Sequence, residues 1–201
     1  MKLDFDWQND GKLHQYCIQC YAESVHKVVD EGKIYYFCAS CNKRHDRLIV
    51  IDPKIKWWVG EGGEYWHESA GVFIRNHEYK FLFFERVKFP FAITIPAGHV
   101  DEGEDPLTAM RREAQEEVGL IVESATKIMS EDIIGDSCRR GCDAHRWHAY
   151  LIVLNQNIDL KMLEEEEGHM PTWLTLDEAI RKDLTFPVRY IIEHYRDKLL
   201  T

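Results

Sequence analysis

No stretch of the chain approaches the run of about 18 apolar residues that a membrane-crossing helix needs, so nothing in it reads as a membrane span. A signal peptide is also missing, which argues against an oxidising compartment and places the expected site of action in the cytoplasm. There is no excess of basic charge: 25 Lys and Arg stand against 35 Asp and Glu, a formal net charge of −10. Non-specific nucleic-acid binding rests on phosphate neutralisation, and this balance serves it poorly. Internal repeats are absent, as are low-complexity tracts apart from the four acids Glu164 to Glu167. At 201 residues and 45% hydrophobic content, the chain can bury one substantial core with a small satellite.

The most informative segment is Gly98 to Leu120, GHVDEGEDPLTAMRREAQEEVGL. Asp105 suits a helix N-cap, Pro106 the first helical position and Gly119 the left-handed residue that closes the far end. At about 100° per residue, Glu113, Glu116 and Glu117 share one arc of this helix with Arg112 at its margin, beside an apolar stripe of Leu107, Met110, Ala114 and Val118. Carboxylates this close repel one another unless a cation lies between them. Oxygen-only ligands suit Mg²⁺ or Mn²⁺, which in turn suit pyrophosphate substrates. The acidic balance does not oppose an anionic substrate where such ions invert the local field. A plain helix surface with i,i+4 pairs such as Arg112 with Glu116 would not demand the preceding loop or these spacings.

The same residues resemble the Nudix box: Gly98, Glu104, Arg112-Glu113, Ala114, Glu116-Glu117, Gly119 and Leu120 stand at its spacing, with Ala114 smaller than the usual aliphatic. The flanking Ala70–Ile74, Phe81–Phe84 and Trp173–Ala179 resemble that family's early strands and its last strand entering a helix. The resemblance implies an α/β/α sandwich around a mixed sheet. It also implies hydrolysis of a nucleoside diphosphate linked to another moiety, of the ADP-ribose, dinucleotide or sugar-nucleotide class. In that reading Glu116 and Glu117 are metal ligands and Glu113 coordinates or orients the attacking water. Arg112 holds a glutamate, Glu104 pairs with that arginine or reaches a second metal, and the backbone near Ala97 or Gly98 adds a ligand. The Ser-Gln-Pro-Trp-Pro-Phe-Pro array of NADH pyrophosphatases is missing from Ile128–Arg139, and the proline expected of ADP-ribose pyrophosphatases is missing near Gly135. The leaving group is therefore left open. The reading from another class is a non-catalytic, nucleotide-sensing domain that binds a partner or nucleic acid. Such domains commonly lose box glutamates, and this chain keeps them all.

Nearer the start, Cys17-x-x-Cys20 and Cys38-x-x-Cys41 are separated by seventeen residues. Two such pairs fit tetrahedral, structural Zn²⁺ held by four thiolates in a ribbon too small to hold together by its own core. A redox use is weaker, because that motif usually occurs singly near a βαβ unit. Lys43, Arg44 and Arg47 around His45 read as a solvated basic tip or a contact with a second subunit. The resemblance implies that such ribbons serve dimerisation or substrate closure.

Other residues carry less specific expectations. Arg139 and Arg140 can meet substrate phosphate, since arginine forks suit anionic oxygens. One of Glu164, Glu165, Glu166 and Glu167 can act as base or extra ligand, with a solvated charge run as the alternative. Cys138, Cys142, His145 and His148 could ligate a second zinc, but their spacing is irregular and His148 is expected on a strand. Trp66, Phe89, Phe91 and Trp147 can stack on a base, with core packing as the default. The expected organisation is a ribbon over 1–50 with a loose leader at 1–10, a linker over 51–68, and a catalytic domain over 69–201. Within the last, Asn76-His77-Glu78 suggests a hairpin, Phe91–Ile95 a strand, Ile121-Val122 the next β region and Trp147–Leu154 a central strand. Helices are expected at 176–183 and 187–199.

Overall fold

A computed structural model describes residues 1–155 and 168–201. The N-terminal part holds β1 (His14–Cys17), β2 (Val25–Asp30), β3 (Lys33–Cys38), β4 (Lys43–His45) and β5 (Leu48–Ile51). Next come β6 (Trp57–Val59), β7 (Tyr65–Arg75), β8 (Phe81–Arg86), β9 (Ile93–Thr94) and β10 (Ala97–His99). After α1 (Pro106–Val118) lie β11 (Thr126–Ile134), β12 (Ala144–Val153) and β13 (Gly168–Leu174), then α2 (Leu176–Ala179) and α3 (Phe186–Leu200). Strands β6 to β13 form one mixed sheet along the path β11-β12-β7-β8-β13, with β6 and β10 also paired to β7 and β9 to β8. Among the described strands, β12 and β7 are the pair that run parallel. Among the described residues no helix is long and apolar enough to cross a membrane.

The period-2 alternation of strands splits the core into two layers. On one face Ala70, Val72 and Ile74 of β7, with Tyr150 and Ile152 of β12, pack against Ala109, Met110, Ala114 and Val118 of α1. On the other, Phe73, Phe81, Phe83, Trp147 and Leu151 meet Leu176, Val188, Ile191 and Ile192 of α2 and α3. This is the expected sandwich. Helix α1 is capped as its sequence predicts. Asp105 Oδ1 accepts from the backbone N–H of Leu107 and Thr108, and Gly119 takes φ 71°. The Asn76 turn joins β7 to β8, with the Asn76 side chain accepting from Glu78 N and Lys80 N.

Several boundaries depart from expectation. The strand foreseen at Phe91–Ile95 is only Ile93–Thr94, because Pro96 has no N–H to extend a ladder and the next residues cross to pair with β7. Ile121 is 77% exposed and outside any strand. The Gly119 turn, with Leu120 N donating to Ala114 O, first carries the chain away from the sheet. Helix α2 ends at Ala179 rather than near 183. The stretch 51–68 read as a linker holds β6 and the start of β7, where Trp58 stacks on Trp66 and Trp57 meets Tyr65 edge-on. The leader read as loose is also packed: Leu3, Phe5 and Trp7 lie against Tyr16, Ile49 and Ile51. Aromatic side chains in both stretches bury more apolar area than a free linker would leave in water.

Candidate active site

Helix α1 sets the site because its apolar stripe fixes its rotation on the sheet and leaves the acidic rim beside β10. Arg112 is the hub of that rim. Its Nε and Nη2 donate to the two carboxylate oxygens of Glu104 at 3.2 and 3.0 Å, and Nη2 also donates to the His99 carbonyl at 3.0 Å. Its Nη1 donates to Glu113 at 2.6 Å and to Glu116 at 3.3 Å. Burial works against the guanidinium's charge, but Glu104 and Glu113 outweigh it and hold the proton more firmly than usual. Glu117 is buried, with its Oε2 accepting from Ala97 N at 3.0 Å. A Cβ on Gly98 would lie 2.0 Å from Glu113 Oε1, so only glycine lets this carboxylate lie against β10.

Arg112, Glu113, Glu116 and Glu117 line a cleft of about 270 Å³. Gly98, Glu113, Glu116 and Glu117 form one wall, and Arg86, Lys88, Arg139 and Arg140 contribute cations around it. Arg139 and Arg140 thus reach the cleft, though each also has a protein partner: Arg139 donates to the Tyr36 hydroxyl at 3.4 Å and Arg140 to Asp52 at 2.7 Å. Burial would raise the Asp52 carboxyl, yet Arg140 outweighs it and holds it below the usual range. Arg86 and Lys88 were not foreseen; the only sequence signal is basic residues just past the apolar run Phe81–Phe84. Among the candidate base-stacking aromatics, Trp147 lines the cleft and donates to Asp136 at 2.7 Å. Trp66 is engaged with Trp58, and Phe91 packs on Tyr35. Glu164, Glu165, Glu166 and Glu167 lie outside the described residues.

The four ribbon cysteines converge. Cys17 Sγ lies 3.8 Å from Cys41 Sγ, and Cys20 Sγ lies 3.6 Å from Cys38 Sγ. Four ligands at about 2.3 Å from a tetrahedral centre stand about 3.8 Å apart, so the set fits Zn²⁺. Tyr21 and Asn42, each just after a CxxC pair, take positive φ and turn the chain back into a knuckle. Of the basic residues near this tip, Arg44 pairs with Asp30 and Arg47 with Asp143.

The alternative set Cys138, Cys142, His145 and His148 does not assemble. Three residues apart on β12, His145 and His148 point to opposite faces of the sheet. His148 instead bridges Glu68 at 2.9 Å and Ser130 at 2.8 Å. The Cys142 thiol donates to the carbonyls of Tyr65 and Ala144. Cys138 and His145 meet His67 and His99, with ligand atoms of all four within 4.8 Å of one another. Burial keeps His67 and His99 below their ordinary values. His145 feels the same burial, but the Asp136 carboxylate outweighs it and pushes the ring up to about 10. Nothing in the spacing of His67 and His99 could have revealed this group, since strand pairing alone makes it.

Comparison with known proteins agrees with this architecture. The model of the NUDIX domain family matches residues 66–195. Nudix hydrolase 26, chloroplastic, of Arabidopsis thaliana is 39% identical over 57 residues, 28% of this chain. The match spans only 26% of that relative's length. An Ap4A hydrolase of C. elegans superposes with a TM-score of 0.55 at 24% identity, covering 67% of this chain and 98% of that one. The NUDIX domain of Shewanella oneidensis NrtR, complexed with ADP ribose, gives 0.58 at 16% identity, covering 72% and 94%. The two structural likenesses speak for the fold, and the family match extends over more than half of the sequence: this chain belongs to the NUDIX domain family.

Proposed function

We propose that the chain is a metal-dependent hydrolase that cleaves the pyrophosphate of a nucleoside diphosphate linked to another moiety. The observation that carries this reading is the Arg112 hub, which is braced by Glu104 and holds Glu113 and Glu116 on one wall of a cleft lined by four further cationic side chains. Glu113, Glu116 and Glu117, with backbone oxygen near Gly98, would hold Mg²⁺ or Mn²⁺. When bound, such an ion polarises bridging phosphates and makes a coordinated water acidic enough to attack near neutral pH. The protein's own work is positioning and charge neutralisation. Arg112 locks the carboxylates in orientation, and the Ala97 N–H fixes Glu117. Arg139 and Arg140, with Arg86 and Lys88, face the phosphate oxygens. Trp147 closes the floor beside them.

The test is a substrate panel with Mg²⁺ or Mn²⁺ containing Ap4A, ADP ribose, NADH and sugar nucleotides. The first two lead because one protein of similar fold is named an Ap4A hydrolase and another is complexed with ADP ribose. Glu116→Gln is expected to lower kcat/KM about a hundredfold or more against whichever substrate the wild type turns over. Equal turnover by both proteins removes the assignment; binding without turnover in the wild type favours a nucleotide sensor. Gly98→Ala is expected to push the Glu113 carboxylate off β10 and cost roughly tenfold to a hundredfold in kcat. Circular dichroism should remain that of the wild type, because the clash is with the end of one side chain.

A further inference from the structure

One wall of the cleft is built from three adjacent strands. His145 of β12 is the register partner of His67 on β7, and β10, which carries His99, pairs with β7 along its other edge. The loop before β12 brings Cys138 onto the same group. His67 Nδ1 lies 3.1 Å from His99 Nε2 and 3.7 Å from Cys138 Sγ. The rings of His67 and His145 stand 5.6 Å apart between centroids, those of His99 and His145 5.9 Å. His67 and His145 are fully buried, at 0% and 2% exposure. His67 thus presents Nδ1 to the group, while its Nε2 is a buried nitrogen with no hydrogen-bond partner among the described residues.

A hydrogen-bonded cluster explains this arrangement poorly. Two buried imidazoles packed against a third imidazole and a thiol, both half-buried, are costly unless their lone pairs share a cation. Bonds of about 2.0 Å to nitrogen and 2.3 Å to sulfur give tetrahedral edges of roughly 3.3–3.5 Å, which the 3.1 and 3.7 Å from His67 Nδ1 bracket, and all four ligand atoms lie within 4.8 Å of one another. The outer shell is also present. The Asp136 carboxylate sits 3.0 Å from His145 Nδ1, with the Asp136 carbonyl at 3.1 Å. Nδ1 is thereby engaged and Nε2 is left to ligate, the carboxylate–histidine–metal arrangement that orients ligating rings.

We propose that His67, His99, Cys138 and His145 form a second metal site, distinct from the four-cysteine ribbon and from the acidic rim of α1, that takes a divalent transition ion. Zinc is the ion that best suits one thiolate and three imidazoles in a tetrahedron. Four protein ligands close the coordination sphere, which is the form of a structural site. Its role follows from what it ties together. His99 lies next to Gly98, against which Glu113 rests, and its carbonyl accepts from Arg112. Cys138 precedes Arg139 and Arg140 of the cleft wall. The ion would pin the β10 edge of the acidic rim and the arginine loop to the central strands.

The experiment is elemental analysis of the untagged full chain, purified without added metal. Two equivalents of divalent transition metal per chain are expected. Cys138→Ser combined with His99→Gln should retain one, and the ribbon variant Cys20→Ser should also retain one. After Co²⁺ substitution, Cys20→Ser should show the spectrum of a single-thiolate tetrahedral site, whereas the other variant shows that of four thiolates. The Cys20→Ser result decides the matter even if the cluster variant does not fold. No retained metal in Cys20→Ser overturns the proposal. So does a metal content that Cys138→Ser with His99→Gln leaves unchanged, or a Cys138–Cys142 disulfide found in the native wild type by alkylation and mass spectrometry.

Discussion

Arg112→Ala is expected to lower kcat about a hundredfold on the best substrate and to shift the Mg²⁺ dependence to higher concentration. One guanidinium holds Glu104 through two parallel bonds while also reaching Glu113, Glu116 and the His99 carbonyl. Without it, the Glu104 and Glu113 carboxylates, each with a side chain only 13% exposed, lose their main cation and reorient. The cost in stability should be about 1–3 kcal/mol, from carboxylates left short of partners. Arg112→Lys is expected to restore little of the turnover, because an ammonium is a point charge and cannot present the planar fork that these contacts use. Steady-state kinetics across a Mg²⁺ titration, alongside thermal melting, separates the two effects. Unchanged kcat and metal dependence in Arg112→Ala would show that the hub is only structural.

Breaking the ribbon should have the largest structural effect. Cys38→Ser is expected to lose one zinc per chain and expose the segment between Cys17 and His45 to protease. Apart from the metal, little apolar area holds β2 and β4: Val29 is 65% exposed and β4 is a three-residue strand of charged residues. In such small modules metal binding supplies the folding free energy. The effect should reach the cleft. Ile34 of β3 donates its N–H to the Val87 carbonyl at 2.7 Å, and the Tyr36 hydroxyl accepts from Arg139. KM should therefore rise more than kcat falls. Zinc analysis with limited proteolysis tests the first part, and kinetics the second. A variant that keeps its full zinc content and its resistance to protease would contradict the ribbon reading.

The arrangement of the acidic rim was legible early because it is local. Arg112 and Glu116, four apart on α1, and the neighbours Arg112 and Glu113 meet through helix geometry that spacing encodes, and Glu104 reaches Arg112 from the loop just before the cap. The caps of α1 were legible for the same reason, as were the CxxC knuckles. Less was visible where strands change partners. The shortness of β9 and the late start of β11 depend on where Pro96 and Gly119 redirect the chain, and aromatic packing turned the presumed linker into β6 and the head of β7.

The sequence by itself determined the capped helix with its carboxylates and the two CxxC pairs, because each is written in residues close along the chain or in a repeated motif, and the sandwich followed from the resemblance that the box carries. Only the tertiary structure decided that His67 and His99 join Cys138 and His145, that His148 turns away to Glu68, and that Arg86 and Lys88 line the same cleft as the acids of α1. Those meetings are set by strand register and by which face of the pleat each residue occupies. A shift of one residue would reverse them without changing any local pattern.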